Sequence, residues 1–335
     1  MRRSIAFLPL ATLLWVTWTH APEPKRPVDN SPVIAITPVT MPPKRVLDRY
    51  LGPFHLEGAW QVTSDNGLVF GYSALVAQPY GRLAAFNDGA HSLWFSPPGA
   101  APSKPRARRI VFEHTQRGKA WHDVESVAYD PASDRYWVGM EGVNAIVRLS
   151  PELHQTGRVE PAGMADWGTN TGPEAMTRLA DGRFVVIREI PPTLAEPRLH
   201  DALLFAGDPV EHPHAQPFRF DGPDNFSVVD MAMLPDGRAL VLMRRLLWPM
   251  PMRFAGRIVI ADTATIRAGG VWRSAPLASL ASVLPVDNFE AIAAVPEKDG
   301  RITVWIMSDD NAMRVLQRTL LWKLSVDPKQ LPWPK

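Results

Sequence analysis

The sequence contains no cysteine among its 335 residues. This absence excludes disulfide bonds, metal sites built on thiolates and a lipid-modified N-terminal cysteine. Long apolar runs are scarce as well, and the stretch from Ile5 to Trp18 is shorter than the ~20 residues that a membrane span needs. A basic excess is also missing, because the 36 Lys and Arg include Arg2 and Arg3 of the N-terminal segment, and 36 without these two leaves 34 basic residues against 34 Asp and Glu. The charge balance therefore argues against nucleic-acid binding.

The N-terminal segment has the features of an export signal. Met1-Arg2-Arg3 precedes the apolar stretch, and small residues follow it up to Ala21, which predicts a signal peptide over residues 1–21. An uncleaved membrane anchor is the alternative. Residues 22–44 hold seven prolines and are interpreted as a semi-rigid linker. We expect an exported protein, periplasmic or secreted, whose folded domain spans residues 45–330.

One module occurs five times in the remaining chain. Each copy is an apolar run, a tight turn that ends in arginine, and a second apolar run. The five turns are QPYGR (78–82), DPASDR (130–135), LADGR (179–183), LPDGR (234–238) and PEKDGR (296–301). A polar residue opens each copy, and these openers are 52, 49, 56 and 60 residues apart: Ser73, Glu125, Glu174, Asp230 and Glu290. Repeats of short strands at this period are typical of a β-propeller.

The strand pattern predicts an all-β propeller of five four-stranded blades. The runs are rich in Val, Ile, Trp, Tyr and Phe, which favour strands. The last module has three strands, while FHLEGAWQVTS (54–64) precedes the first module without a partner. We therefore expect this N-terminal strand to complete the fifth blade and close the ring, which removes exposed sheet edges. The two longest intervals leave six blades open as an alternative.

Acidic residues should collect at one end of the central channel. The openers start the innermost strands, and the residues that end the second strands lie beside them: Asp88, Glu141, Glu189, Arg244, and Asp309 with Asp310. Carboxylates this close stay ionised together only if a cation neutralises them, and otherwise take up protons. Oxygen ligands without thiolates suit Ca²⁺ or Mg²⁺. We expect no organic cofactor.

These residue types suggest two kinds of role at the mouth of the channel. The predicted metal ligands are Glu125, Glu141, Glu174, Glu189, Asp230 and Asp310. The predicted catalytic residues are Glu290, Asp309, Arg244 and Arg318, the arginines stabilising negative charge on a substrate. A structural interpretation stays open, in which each carboxylate accepts hydrogen bonds from backbone N–H groups and holds a blade in place.

Three stretches resemble a known family: DVESVAYDPASDRYWVGME, GPEAMTRLADGRFVVIRE, and DNFEAIAAVPEKDGRITVWIMSDDN followed by QRTLLWKLSVD. They are similar to the bacterial phytase-like propellers labelled esterase-like activity of phytase, over roughly Arg45 to Pro328. The resemblance implies an exported propeller with phosphoester or carboxylester hydrolysis, and draws attention to Asp287, Asn288 and Asn311. The fourth module departs from an acidic pattern, because it ends in Arg244-Arg245.

Two functions from different classes follow. The first is a monomeric hydrolase that acts on a small ester or anionic substrate at the acidic mouth with a divalent cation. The second is a non-catalytic periplasmic propeller that binds a ligand or a protein, since a fold does not determine a function.

Overall fold

The computed structural model describes residues 26–113, 118–249, 252–313 and 316–334, without the side chains of residues 248, 249 and 252. The predicted signal peptide, residues 1–21, lies outside the described residues. Within the described ranges no helix has the length and apolar character needed to cross a membrane.

The described chain is built from strands, with one α-helix near its start. Before the first blade come β1 (Ala35–Pro38), α1 (Lys44–Leu51) and β2 (His55–Thr63). Blade I holds β3 (Tyr72–Gln78), β4 (Arg82–Asn87), β5 (His91–Phe95) and β6 (Arg106–Arg109). Blade II holds β7 (Val124–Asp130), β8 (Arg135–Met140), β9 (Ala145–Leu149) and β10 (Gln155–Val159). Blade III holds β11 (Pro173–Arg178), β12 (Phe184–Arg188), β13 (Leu199–Phe205) and β14 (Ala215–Asp221). Blade IV holds β15 (Ser227–Met233), β16 (Arg238–Pro249), β17 (Met252–Asp262) and β18 (Val271–Leu280). Blade V holds β19 (Asn288–Pro296), β20 (Ile302–Asp309) and β21 (Leu320–Val326), joined by β2 and β1. Short 3₁₀ turns occur at Pro79–Gly81, Lys119–Trp121, Ala162–Met164, Thr263–Thr265 and Pro328–Gln330.

The five-bladed ring predicted from the sequence is confirmed. Strand β2 pairs antiparallel with β21, so the N-terminal strand completes the last blade. The innermost strands β3, β7, β11, β15 and β19 contact one another in that order, and β19 returns to β3. The long intervals do not hold a sixth blade, because the extra residues lengthen β16, β17 and β18 to 12, 11 and 10 residues.

Each blade interface has its own apolar core. The five buried clusters lie between blades I and II, II and III, III and IV, IV and V, and V and I. A blade inside the ring is therefore covered on both faces, which explains why the strands are almost continuously apolar. Blades III and IV also join at their outer edges, where β14 pairs parallel with β18 and makes one eight-stranded sheet.

The segment interpreted as a linker, residues 22–44, lies against the propeller wherever it is described. Strand β1 pairs antiparallel with β2, and the Ala107 N–H donates to the Asn30 carbonyl at 2.9 Å. Ile34 and Ile36 alternate with exposed neighbours and pack against the core between blades V and I. This alternation of exposed and partly buried residues is typical of a strand. The prolines around it are compatible with an edge strand, because proline is tolerated at the edge of a sheet. Strand β1 is thus the outermost strand of blade V.

Candidate functional site

The five innermost strands share one irregularity near their start. In each strand a single residue lacks a partner across the ladder, because the pairing register shifts by one at that point. A bulge of this kind re-aims a side chain and ends regular pairing. The bulged residues are Ser73, Glu125, Glu174, Val229 and Glu290. Four of them are the predicted openers.

Blade IV differs, and the expectation for Asp230 changes with it. Val229 occupies the bulge, so Asp230 returns to the ladder opposite Leu242. Its carboxylate accepts hydrogen bonds at 2.8 Å from the N–H groups of Met231 and Ile292. Burial raises the pKa of Asp230, and these bonds oppose the rise. Asp230 therefore links blades IV and V, as the structural interpretation describes, and does not join the other predicted metal ligands.

Carboxylates from blades I, II, III and V surround the axis at the bulges. We call this set the acidic mouth. Its members are Asp88, Asp123, Glu125, Glu141, Glu174, Glu189, Glu290 and Asp309, linked by mutual charge interactions or close carboxylate contacts. Asp123 was missed by the sequence analysis. Its position in the sequence, two residues before Glu125, is the feature that indicates it. In the structure its carbonyl accepts the Glu141 N–H.

Among the residues that the structure describes, two groups of three carboxylates are close enough to hold a metal ion. Asp123, Glu125 and Glu141 form one group, and Glu141, Glu174 and Glu189 form the other. Each residue offers one oxygen, and within each group these oxygens lie within 4.8 Å of one another. Glu141 belongs to both groups. The mouth thus brings together four of the six predicted metal ligands.

Burial and mutual repulsion make these carboxylates unusually basic. Burial raises the pKa of Glu125 well above its ordinary value, and Asp123 and Glu141 add to the rise. Burial does the same for Glu174, reinforced by Glu125 and Glu189. Burial also raises the pKa of Glu141 to about 7, although the Gly172 N–H opposes it. A cation would remove this repulsion, and so would protons.

Among the described residues, Arg244 and Lys119 lie at ion-pair distance from carboxylates of the acidic mouth. Arg244, at the end position of blade IV, places Nε 2.9 Å from Glu290 Oε1 and Nη2 3.6 Å from Glu189 Oε1. Lys119 was not predicted; its Nζ lies 3.3 Å from Asp123 Oδ1 and 3.9 Å from Asp88 Oδ2. Arg244 thus connects Glu189 of blade III with Glu290 of blade V, and both candidate metal groups come from blades II and III.

The blade V carboxylates Glu290 and Asp309 belong to neither candidate metal group. Glu290 is held by Arg244 and by the Asn288 side-chain amide, which donates to Oε1 at 2.8 Å. Burial raises the pKa of Asp309, with a further contribution from Glu290. A Cβ on Gly71 would lie 2.9 Å from Asp88 Oδ1 and 3.8 Å from Asp309 Oδ1. These two carboxylates therefore converge where the glycine leaves room.

Two predicted residues lie apart from these contacts. The Asp310 side chain accepts the N–H groups of Gly71 and Ala312, both at 3.2 Å, and belongs to neither candidate metal group. Arg318 places Nε 3.6 Å from Asp287 Oδ2, and its backbone N–H donates to the same oxygen at 3.1 Å. The Asn311 amide donates to Gln317 Oε1 at 3.0 Å. These residues support the loop that follows β20.

The fold and the site define a class of protein: a closed five-bladed propeller with a carboxylate-rich end of its central channel. The chain belongs to the phytase-like family described as "Esterase-like activity of phytase", whose model matches residues 68–312. The resemblance seen in the sequence is thereby confirmed. No curated protein sequence matches the chain significantly.

Many solved structures are similar to the chain, and two of them, both at low identity, show the range. The glutaminyl cyclase of Myxococcus xanthus is 13% identical, with a TM-score of 0.45, over 82% of this chain and 97% of that one. The hydrazine synthase of Kuenenia stuttgartiensis is 13% identical, with a TM-score of 0.35, over 73% of this chain and 79% of that one.

Proposed function

We propose that the acidic mouth binds a divalent cation, Ca²⁺ or Mg²⁺, and that the protein hydrolyses a phosphoester or carboxylester there. The observation that supports this most is the pair of carboxylate groups that share Glu141. The donors fit a hard cation because they are oxygens only, without histidine or thiolate. Asp88 Oδ1, close to this set, is a buried oxygen without a hydrogen-bond partner among the described residues.

The residues of the proposed site have distinct roles. Asp123, Glu125 and Glu141 would hold a cation as one group, and Glu141, Glu174 and Glu189 as the other. A bound cation would supply Lewis-acid polarisation of an ester oxygen and a more acidic water. Arg244 stabilises negative charge on the reacting group, because its guanidinium is fixed by Glu290 and Glu189. Glu290 and Asp309 complete the substrate side of the mouth. A small ester or anionic substrate would be attracted by Arg244 and the cation, which offset the charge of these carboxylates.

The proposal includes the protein's location and state. The basic and apolar N-terminal segment supports export to the periplasm or the medium. A ring closed by its own two chain ends leaves no blade to be completed by a second subunit, which supports a monomer.

Metal content and hydrolysis together test the proposal. Purified protein is assayed for bound metal, and for turnover of inositol hexakisphosphate and p-nitrophenyl esters, with and without chelator. We expect Glu141→Gln to lose metal and activity, because both carboxylate groups contain this residue. Glu160→Gln is the matched control, since Glu160 is exposed on the same blade and pairs with Arg158 at 2.6 Å. Metal-free protein without turnover would contradict the proposal and favour the binding propeller.

A further inference from the structure

Blade I carries a basic cavity that has no part in the acidic mouth. The cavity has a volume of about 670 Å³ and is lined by Arg82, Trp94, Ser103, Lys104, Arg106 and Arg108. This volume is in the range of small-molecule sites. We call it the blade I cavity.

Strand pairing explains why its cations converge. Trp94 on β5 lies opposite Arg106 on β6, and Ala84 on β4 lies opposite Trp94. Because side chains alternate along a strand, Arg82 and Arg108 share this face. The inner part of the face is covered by blade II, where Tyr136 meets Trp94 edge-on at 6.2 Å between ring centroids. The cavity is the outer part of the same face.

The four cations lack acidic partners. Within the described part of the chain, none of Arg82, Lys104, Arg106 and Arg108 has a carboxylate at ion-pair distance; the salt bridges involve other residues. The Arg108 guanidinium stacks on the Trp94 ring at 5.1 Å. The pKa of the exposed Glu152 is lowered mainly by a hydrogen bond from the Ser150 hydroxyl, and the charge of Arg108 makes only a small further contribution.

A concave surface of one charge sign concentrates counter-ions more strongly than a flat one. Three of the four cations are arginines, whose planar forks bind tetrahedral oxyanions through two parallel hydrogen bonds. The stacked Arg108 is preorganised, which reduces the entropy lost on binding. Trp94 provides an apolar wall beside these donors.

We propose that the blade I cavity binds a free, compact ligand with several phosphate or sulfate groups. The site is separate from the acidic mouth and does not depend on the proposed hydrolysis. An oxyanion would neutralise the cations that the chain itself leaves unpaired, and the cavity volume favours a small molecule over a macromolecule.

Calorimetry with tripolyphosphate tests the proposal on the full protein. Chelator is present throughout, so that no metal at the acidic mouth can recruit the ligand. We expect one saturable site per chain, with an affinity for tripolyphosphate that falls as salt is added. Arg106→Gln with Arg108→Gln should weaken binding ~10-fold or more, because charge-assisted hydrogen bonds are lost. The control is Arg45→Gln with Arg49→Gln, which removes two exposed charges from α1. The control should bind like the parent.

Further measurements distinguish a free anionic ligand from the anionic headgroups of a membrane. Binding to phosphatidylglycerol vesicles without binding to free tripolyphosphate would overturn the proposal of a compact ligand. Equal weakening by both double variants would also overturn it, since the effect would then follow net charge alone. Circular dichroism confirms that each variant is folded. Arg82→Lys keeps the charge but loses the fork, and a clear loss of affinity in this variant supports oxyanion recognition.

Discussion

At the scale of single residues, Glu141 makes the proposed site dependent on pH. Burial raises its pKa to about 7 in the folded chain, whereas an unfolded glutamate titrates near 4.3. The folded state therefore binds more protons than the unfolded state between these values, and the free energy of unfolding falls as pH rises through this window. Without metal, the acidic mouth is a source of instability above neutral pH.

We therefore expect Glu141→Gln to stabilise the metal-free protein at pH 8, by up to ~3 kcal/mol, and to have little effect at pH 4. Urea unfolding at the two pH values in chelator measures this difference. Glu160→Gln, exposed and on the same blade, should change neither value. A lower stability of Glu141→Gln at pH 8 would mean that the carboxylate is satisfied by the protein and needs no cation.

Asp230 has a different expected response, because two backbone N–H groups depend on its carboxyl oxygens, although burial raises its pKa as it raises that of Glu141. Its two oxygens accept the N–H groups of Met231 and Ile292, so in Asp230→Asn one of these donors faces an amide group instead. Leaving a buried donor unpaired costs about 1–3 kcal/mol. Thermal unfolding should show this loss, while the affinity for Ca²⁺ measured by calorimetry stays that of the parent. A large loss of metal affinity without a loss of stability would instead show that Asp230 is a metal ligand.

At the scale of strands, the edge formed by β1 is a separate test of the fold. A chain shortened to begin at Met41 exposes the edge of β2, which β1 covers through its pairs from Ala35↔Thr63 to Pro38↔Trp60. Uncovered strand edges pair with other chains. We expect a lower melting temperature and concentration-dependent association by light scattering, with metal affinity retained. A monomer of unchanged stability would show that β1 is a passive addition to blade V.

The sequence alone predicts the strands better than their register. Arginine-ended turns and apolar runs were sufficient to predict the innermost strands and the closing role of β2. The bulges were not visible, because one unpaired residue leaves the apolar pattern nearly intact. Asp230 was therefore aligned with Glu290, although Val229 holds the equivalent position. The sequence pattern does not predict strand β1, because the prolines around it are typical of a linker.

The candidate site was predicted in part for the same reason. Residues fixed by the hairpin repeat, such as Glu125, Glu141, Glu174 and Glu189, meet as expected. Lys119 and Asp123 come from the connection between blades I and II, whose course depends on tertiary packing. Arg318 pairs with Asp287 because the loop after β20 folds back on the start of β19. Such contacts have no local sequence pattern.

At the scale of the whole molecule, closure of the ring should make unfolding cooperative. In an open repeat array each unit contacts only its neighbours, so partly folded forms are accessible. Here blade V combines both ends of the chain, and five interfaces each hold a buried cluster. Opening one interface exposes apolar surface on two blades and releases the geometric restraint on the others.

Trp322 gives the sharpest test of this coupling. It is fully buried between blades IV and V and packs edge-on against Phe289 at 5.0 Å between ring centroids. Trp322→Ala should lower the free energy of unfolding by about 3–5 kcal/mol. We expect far-ultraviolet and near-ultraviolet circular dichroism to report the same single transition in urea, because loss of this interface opens the ring as a whole. Trp333→Ala, at an exposed position beside Arg238, should change stability by well under half as much. Two separate transitions in the Trp322 variant would mean that the other blades stay folded in an open array, and that closure does not couple them.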